Sequence, residues 1–318
     1  MENLPNDWDV LQKSLGASVL QGMVWSEVQE SMGRSAYFER SNHWSWVGFE
    51  RKSRGLRYLN VPYGPTASLN AKDALESVAA FATQEGFDFV RIEPMGVIGK
   101  SDLDSIGAIK TSEVDPEHTQ VIDITKPIDA LRANLRSGHR SDINGASKRG
   151  VEVLSTDSQE GLEIFLGMLR DTAKRAKVTF YPDSYYRQVF KQMSPSGSMK
   201  LYLAKADGEP VAGALFYDYN GVRSYAYAGA FQDLNRKHKA TVCMMWQAIL
   251  DAKQSGSTAF DLWGVAPDDN SKHKWAGITS FKKGFGGETV AYLGTYDIPI
   301  NKPKYKAYRI YKKFRGRS

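Results

Sequence analysis

Cysteine is almost missing from this chain of 318 residues: there is one, Cys243, so no intrachain disulfide can staple the fold. It lies in the apolar stretch 242–246 and reads as a buried helix thiol rather than a nucleophile. No apolar run approaches the roughly 20 residues that span a bilayer. The opening stretch, MENLPNDWDVLQKS, lacks the cationic-then-apolar order of a secretory signal. The expectation is a soluble, cytoplasmic, monomeric protein, with contact to the inner membrane face left open. Conventional catalytic constellations are absent as well: there is no G-x-S-x-G elbow, no H-E-x-x-H pair and no Walker loop. His43, His118, His139, His238 and His273 are scattered without metal-ligand spacing and read as surface or hydrogen-bonding residues, so no metal and no bound cofactor are expected.

What is present is ordinary globular composition, 42% hydrophobic and 25% charged, with a net charge of +6. That charge suits a polyanionic partner such as RNA or a nucleotide-linked substrate, although many soluble proteins carry it without one. Two stretches share a plan. Residues 56–61 read as a strand leading into Pro62-Tyr63-Gly64-Pro65, followed by a helix over 69–84, a stop at Gly86 and a buried strand over 87–92. Residues 224–228 read as a strand running into Gly229, followed by a helix over 241–253, a stop at Gly256 and a strand over 258–263. Two copies of one mixed α/β domain would give this order.

Residues 126–149 are polar and basic, with Ile128, Leu131 and Leu135 at helical spacing, and read as one amphipathic helix between the halves. A strand over 151–154 and a long amphipathic helix over 158–177 follow. Asp207-Gly208 and Asn220-Gly221 mark two successive hairpins. The second half is therefore helix, antiparallel meander, helix, strand, the order of a GNAT-like acyltransferase core. Near the end, Tyr305, Tyr308, Tyr311 and Phe314 are spaced three apart and read as one aromatic stripe on a helix. Lys306, Arg309, Lys312, Lys313 and Arg317 lie elsewhere on it, either solvated or facing tRNA phosphates or anionic lipid headgroups.

One segment combines several chemistries. A strand ends at Asp261-Leu262-Trp263-Gly264, a polar loop runs over 267–274, and residues 275–288 carry closely spaced glycines, aromatics and lysines. Glycines allow close backbone approach, aromatics offer stacking faces, and a lysine supplies a cation for developing oxyanion charge. A tight turn with solvated lysines would use the same residues.

The segment resembles the Fem aminoacyltransferase family (FemABX). The resemblance lies in Asp261-Leu262-Trp263-Gly264 and in Phe281-Lys282-Lys283-Gly284-Phe285-Gly286-Gly287. It extends along most of the chain: Gln21 with Trp25 and Val28, Pro62 to Pro65, Asp142-Ile143-Asn144 with Lys148-Arg149-Gly150, and Tyr225 to Ala230 with Arg236. It implies an α/β (α+β) fold of two tandem GNAT-like domains with mixed, largely antiparallel sheets flanked by helices. The first is expected over 1–149, completed by a terminal helix over 300–318, and the second over 150–299. It also implies transfer of an amino acid from aminoacyl-tRNA, as co-substrate, to the stem peptide of a peptidoglycan precursor, either UDP-MurNAc-pentapeptide or lipid II. No long heptad insertion is present, as in the family's short members.

By the same resemblance, Lys282 would stabilise the tetrahedral intermediate and Phe281 would position the donor terminus. Arg187, Tyr225, Tyr227, Trp263 and Asp261 are the acceptor-binding candidates, and Lys283, Arg236 and Lys239 the tRNA-binding ones. Tyr225 and Tyr227 are expected on one strand face, lining the acceptor channel or packing the core. One departure stands out: Gln29 occupies the place of a family lysine that helps hold the nucleotide diphosphate. Either a neighbour such as Arg34 replaces that lysine, or the acceptor is not the usual UDP-linked precursor. An acyl-CoA enzyme is the main rival, but residues 236–241 carry lysine and threonine where its pyrophosphate loop requires glycines. A non-catalytic binding protein for tRNA or cell-wall precursors is the second.

Overall fold

Two hydrogen-bonded ladders carry the chain in its computed structural model, which describes residues 7–267, 272–273 and 275–315, with side chains as far as Lys313. Lys274, Arg317 and the Phe314 side chain lie outside the described residues. One compact unit holds the described residues up to Glu117 together with those from Tyr292 onward; the other is His118–Ala291.

The first unit centres on Trp44–Ser53, Leu56–Val61 and Phe89–Ile92. The first two form an antiparallel pair, and the helix Ala71–Gln84 carries the chain to a strand parallel to the second. Ala74, Leu75, Val78 and Ala82 recur at helical spacing, and all four are buried, which fastens the helix to Trp46, Leu59, Val90 and Ile92. Tyr296–Pro299, from the far end of the chain, pairs antiparallel with Phe89–Ile92. Beyond it lies Ile109–Lys110.

The second unit repeats the order. Its sheet runs Val151–Thr156, Met199–Ala206, Glu209–Tyr219, Val222–Ala230, Ala259–Gly264, His118–Asp123, Glu288–Ala291. Asp207 and Gly208, then Asn220 and Gly221, take positive φ, so both expected hairpins form with two-residue turns. The only parallel pair among its described strands, Val222–Ala230 with Ala259–Gly264, is bridged by the helices Gln232–His238 and Ala240–Gln254. Each unit is thus hairpin, parallel crossover, antiparallel return: the tandem GNAT-like architecture.

The boundaries lie elsewhere than at 149/150 and 299/300. His118–Asp123 sits between Ala259–Gly264 and Glu288–Ala291, and Tyr296–Pro299 sits between Phe89–Ile92 and Ile109–Lys110. Each sheet takes an interior strand from beyond the boundary that linear order suggests. The single helix expected over 126–149 is two, Ile128–Ala133 and Ser137–Asn144, followed by a 3₁₀ turn at Ser147–Arg149. All of it belongs to the second unit.

The terminal helix Lys302–Arg315 docks on its own unit through Tyr305 and Tyr308, which meet Phe89 at 5.4 and 5.6 Å between ring centres. The expected aromatic stripe does not stay on one face. At about 100° per residue, a spacing of three falls about 60° short of a turn at each step, so Tyr305 is 3% exposed and Tyr311 46%. No described helix is long and apolar enough to cross a membrane.

On the second sheet, Gly229 faces the long helix Gln159–Ala176. A Cβ there would lie 2.7 Å from both the Leu169 nitrogen and the Met168 carbonyl carbon, and backbone cannot yield as a side chain does. Gly229→Ala is expected to lower unfolding stability by about 1–3 kcal/mol in chemical denaturation.

Candidate functional site

The sheet of the second unit opens along its parallel pair. Val222–Ala230 and Ala259–Gly264 share three rungs, Val222↔Ala259, Arg223↔Phe260 and Ser224↔Asp261. Arg223, buried, pins this end: it pairs with Asp218 at 2.6 Å and donates to the Tyr202 hydroxyl and the Ala248 carbonyl at 3.0 and 3.1 Å. Past the third rung both strands are bulged. Tyr225 lies opposite Phe216 and Tyr227 opposite Leu215, leaving Ala226 as an additional residue. The other strand shifts register between Asp261 and Gly264, with Trp263 at φ 62. Bulges bend and twist a strand, and here they split a neighbouring pair.

Lys282 reaches this opening from the helix Ala276–Lys283. Its Nζ donates to the Gly264 carbonyl at 2.7 Å and stands 5.7 Å from the centre of the Tyr225 ring. The residue is 7% exposed. Burial pushes the Lys282 pKa down to about 8, against the opposing pull of the Asp261 carboxylate. Burial in turn raises the Asp261 carboxyl above its ordinary value, although it accepts from the Thr119 hydroxyl and from the Trp263 N–H. An ammonium has three donors, of which Gly264 takes one.

Phe281, half-buried, packs its ring against Phe285 at 5.3 Å and His139 at 5.6 Å between centres. The break in the 126–149 segment explains how His139 comes to be there. Arg136 is extended, at ψ 144, and its N–H donates to the Gly284 carbonyl at 2.8 Å. The helix Ser137–Asn144 therefore starts against the Phe281–Phe285 turn and buries His139 beneath it. Burial, and then the Arg136 charge, lower the imidazole pKa, which favours the neutral ring. Read in isolation, His139 is one scattered histidine; the signal that could have found it is its place three residues after an arginine in the segment 126–149.

Lys282, Asp261 and Tyr225 thus come together, with Phe281 the residue before Lys282 and packed on His139 and Phe285. Tyr227 does not join them. The additional residue at Ala226 reverses the alternation, so Tyr225 faces Phe216 and the core while Tyr227 meets Tyr186 at 5.0 Å and the Tyr185 hydroxyl at 3.2 Å. The expectation of one shared face is corrected by that bulge. Trp263 lies on the Tyr227 side, its ring 6.3 Å from Tyr217. Arg187 is held by Glu163 through two bonds of 2.7 and 2.8 Å on an exposed helix face. Arg236 and Lys239 are exposed around the turn between Gln232–His238 and Ala240–Gln254, and Lys283 is half-buried beside Lys282.

In the first unit, Gln29 is 1% exposed. Its side-chain carbonyl accepts from Arg34 at 2.5 Å and from Arg51 at 3.3 Å, so two guanidinium groups converge on it. Nearby, the buried Glu93 accepts from the Tyr63 and Asp115 N–H groups and from the Thr295 hydroxyl, at 3.2, 2.9 and 2.8 Å. Burial and then the charge of Glu93 raise the Asp115 carboxyl well above the usual carboxylate range. Sequence reasoning did not pair these acids; nothing in a separation of this length signals it. Among the described residues, no group of three His, Cys, Asp or Glu is placed to hold a metal ion.

Residues 105–210 and 199–313 match the model of the FemAB family. The lipid II:glycine glycyltransferase of Staphylococcus epidermidis is 21% identical over 375 aligned positions, covering 93% of this chain and 89% of that protein. That span exceeds the 318 residues here, so the relative carries segments that this chain lacks. Aminoacyltransferase FemA of Staphylococcus aureus is 31% identical over 108 residues, 34% of this chain and 26% of its own. The crystal structure of FemX superposes with a TM-score of 0.83 at 19% identity, covering 96% of this chain and 98% of that one. A tandem GNAT protein from the clavulanic acid biosynthesis pathway superposes at 0.55 and 10% identity, covering 94% and 97%. At these identities the likeness to solved structures is one of fold.

A Cβ on Gly284 would sit 2.3 Å from His139 Cε1. Gly284→Ala is expected to cost about 1–3 kcal/mol of stability. His139→Ala in the same chain should relieve that clash, so that a double-mutant cycle by thermal denaturation shows strong coupling; simple additivity would mean that the two do not touch.

Proposed function

Because the chain belongs to the FemAB family, we propose that it transfers an aminoacyl group from aminoacyl-tRNA to the stem peptide of a peptidoglycan precursor. The observation that carries the assignment is the buried Lys282 ammonium, fixed by the Gly264 carbonyl where the parallel strands separate. An aminoacyl ester is already an activated donor, so the chemistry asks mainly for alignment and for charge stabilisation. Holding the amine and ester together contributes up to roughly 7–11 kcal/mol in favourable cases. The acceptor nitrogen attacks the ester carbonyl, the C–O bond to the ribose breaks, and the proton lost by nitrogen ends on the departing hydroxyl directly or through water. In between, the carbonyl oxygen carries negative charge, and the two N–H donors of Lys282 not used by Gly264 meet it in a site from which water is largely excluded.

Phe281, braced by His139 and Phe285, positions the donor terminus in this reading. Tyr225 and Asp261 shape the acceptor side around Lys282, and Lys283, Arg236 and Lys239 are assigned to tRNA. Arg34 and Arg51, converging on Gln29, are assigned to acceptor phosphate in place of a lysine. Arg187, engaged by Glu163, is the weakest of the acceptor assignments, and Tyr227 and Trp263 act through packing. The acyl-CoA reading meets a specific obstacle. The side-chain carbonyl of Asn235 accepts from the Thr241 N–H and hydroxyl, both at 3.0 Å. The helix start that would cradle a pyrophosphate is therefore capped by the chain itself.

Mass spectrometry of reactions containing charged tRNA and either UDP-MurNAc-pentapeptide or lipid II is expected to show a precursor heavier by one amino acid. Lys282→Met should lower the rate roughly 10²–10³-fold. Turnover of acetyl-CoA with no aminoacylated product would overturn the assignment. As a cation, Lys282 loses its proton as pH rises through about 8, so the rate should fall along that limb. Asp261→Asn removes a charge that holds the Lys282 pKa up and should move the limb to lower pH. A limb that Asp261→Asn leaves in place would mean that it does not belong to Lys282.

A further inference from the structure

The helix Lys302–Arg315 carries seven Lys and Arg residues and no acid. Tyr305 and Tyr308 fasten its inner face. On the opposite face, Pro303, Ala307, Ile310 and Tyr311 follow one another at spacings of four, three and one, so they form one outward stripe. All four are exposed, Ile310 by 50%. Lys302, Lys306, Arg309 and Lys313 run along one border of this stripe, and all are exposed. Lys304 at the other border pairs with Asp88 at 2.9 Å. Beside the helix lies a groove of about 900 Å³ with Ile106, Ile109 and Pro299 among its lining residues. Lys110, Lys306 and Arg309 line it as well. The one carboxylate among its described lining residues, Asp297, is engaged by Arg91 through bonds of 2.8 and 2.9 Å.

We propose that this outer face of the terminal helix is a docking surface for an anionic lipid bilayer. An apolar strip bordered by cations on a helix too polar to span is the pattern that lies in the plane of a membrane interface. Its long basic side chains reach headgroup phosphates while their stems lie along the apolar strip. RNA would use the cations but has no need of the exposed Ile310. The Arg54 guanidinium stands over one face of the Tyr311 ring at 4.5 Å, so a stacked base would have that one ring's other face alone. Lipid uses both halves of the pattern. The inference does not depend on the reaction assigned above, and its test involves no turnover.

Co-sedimentation of the full chain with phosphatidylcholine vesicles, with and without phosphatidylglycerol, is the experiment. Binding is expected only to the anionic vesicles and should weaken as salt is added. Reversal of three charges (Lys306→Glu, Arg309→Glu, Lys313→Glu) should lower partitioning about a hundredfold or more, at about fivefold for each cation removed. Ile310→Ser, which leaves the charge unchanged, should lower it several-fold. The circular dichroism of both variants should match that of the parent. Equal binding to neutral and anionic vesicles, or full binding by Ile310→Ser, overturns the proposal. So does a charge-reversed variant that keeps vesicle binding while losing retention of uncharged tRNA, since the face would then belong to RNA.

Discussion

Three rungs of parallel pairing, and their interruption, are what the candidate site depends on. A parallel pair that continued to the ends of Val222–Ala230 and Ala259–Gly264 would leave no opening in the sheet. The bulge at Ala226 and the shift after Asp261 end the pairing on both strands at one level. This frees the Gly264 carbonyl from the ladder, and the Lys282 ammonium takes the place of the missing backbone donor. A buried carbonyl must be satisfied, so the defect in the sheet and the position of the lysine are one feature. Arg223, immediately before the last rung, keeps the closed end closed by tying the hairpin to Asp218 and to the helix Ala240–Gln254.

The cost of that arrangement is a cation in a largely apolar place. Tyr225 offers the face of a ring and Asp261 a carboxylate, but neither replaces the water that is lost, and the lysine responds with a lowered pKa. With its pKa near 8 the group is still mostly an ammonium at neutral pH, which suits a cation that meets developing negative charge. Behind it, Phe285 and, from an element distant in the chain, His139 brace Phe281. The Arg136 N–H on the Gly284 carbonyl decides where that element begins.

Repetition across the two units separates scaffold from site. Both sheets carry the hairpin, the crossover helix and the antiparallel return. The first unit keeps four parallel rungs, from Tyr58↔Phe89 to Val61↔Ile92. Its polar groups gather instead around Gln29 with Arg34 and Arg51, and around Glu93 with Asp115. One architecture thus hosts a lysine in one unit and paired charges in the other, as expected when chemistry is grafted onto a fold rather than inherent in it.

Local order determined a good deal by itself. Period and turn chemistry placed both crossover helices, the hairpins at Asp207-Gly208 and Asn220-Gly221, and the duplicated plan, because each depends on residues close together in the chain. The segment from Phe281 to Gly287 was also visible, since its glycines and lysine are contiguous. What only tertiary structure decided lies beyond that range. A bulge is one residue more on one strand than on its neighbour, so it exists only once the neighbour is known; hence Tyr225 and Tyr227 diverge despite their alternation. The unit boundaries moved because an interior strand takes its hydrogen-bond partner from wherever the chain returns. Whether Arg187 is a free cation or the partner of Glu163, and whether His139 is scattered or buried beneath Phe281, depends on helices that linear spacing cannot bring together. The residues announced themselves locally; their environments, and with them the pKa of Lys282, were set by packing.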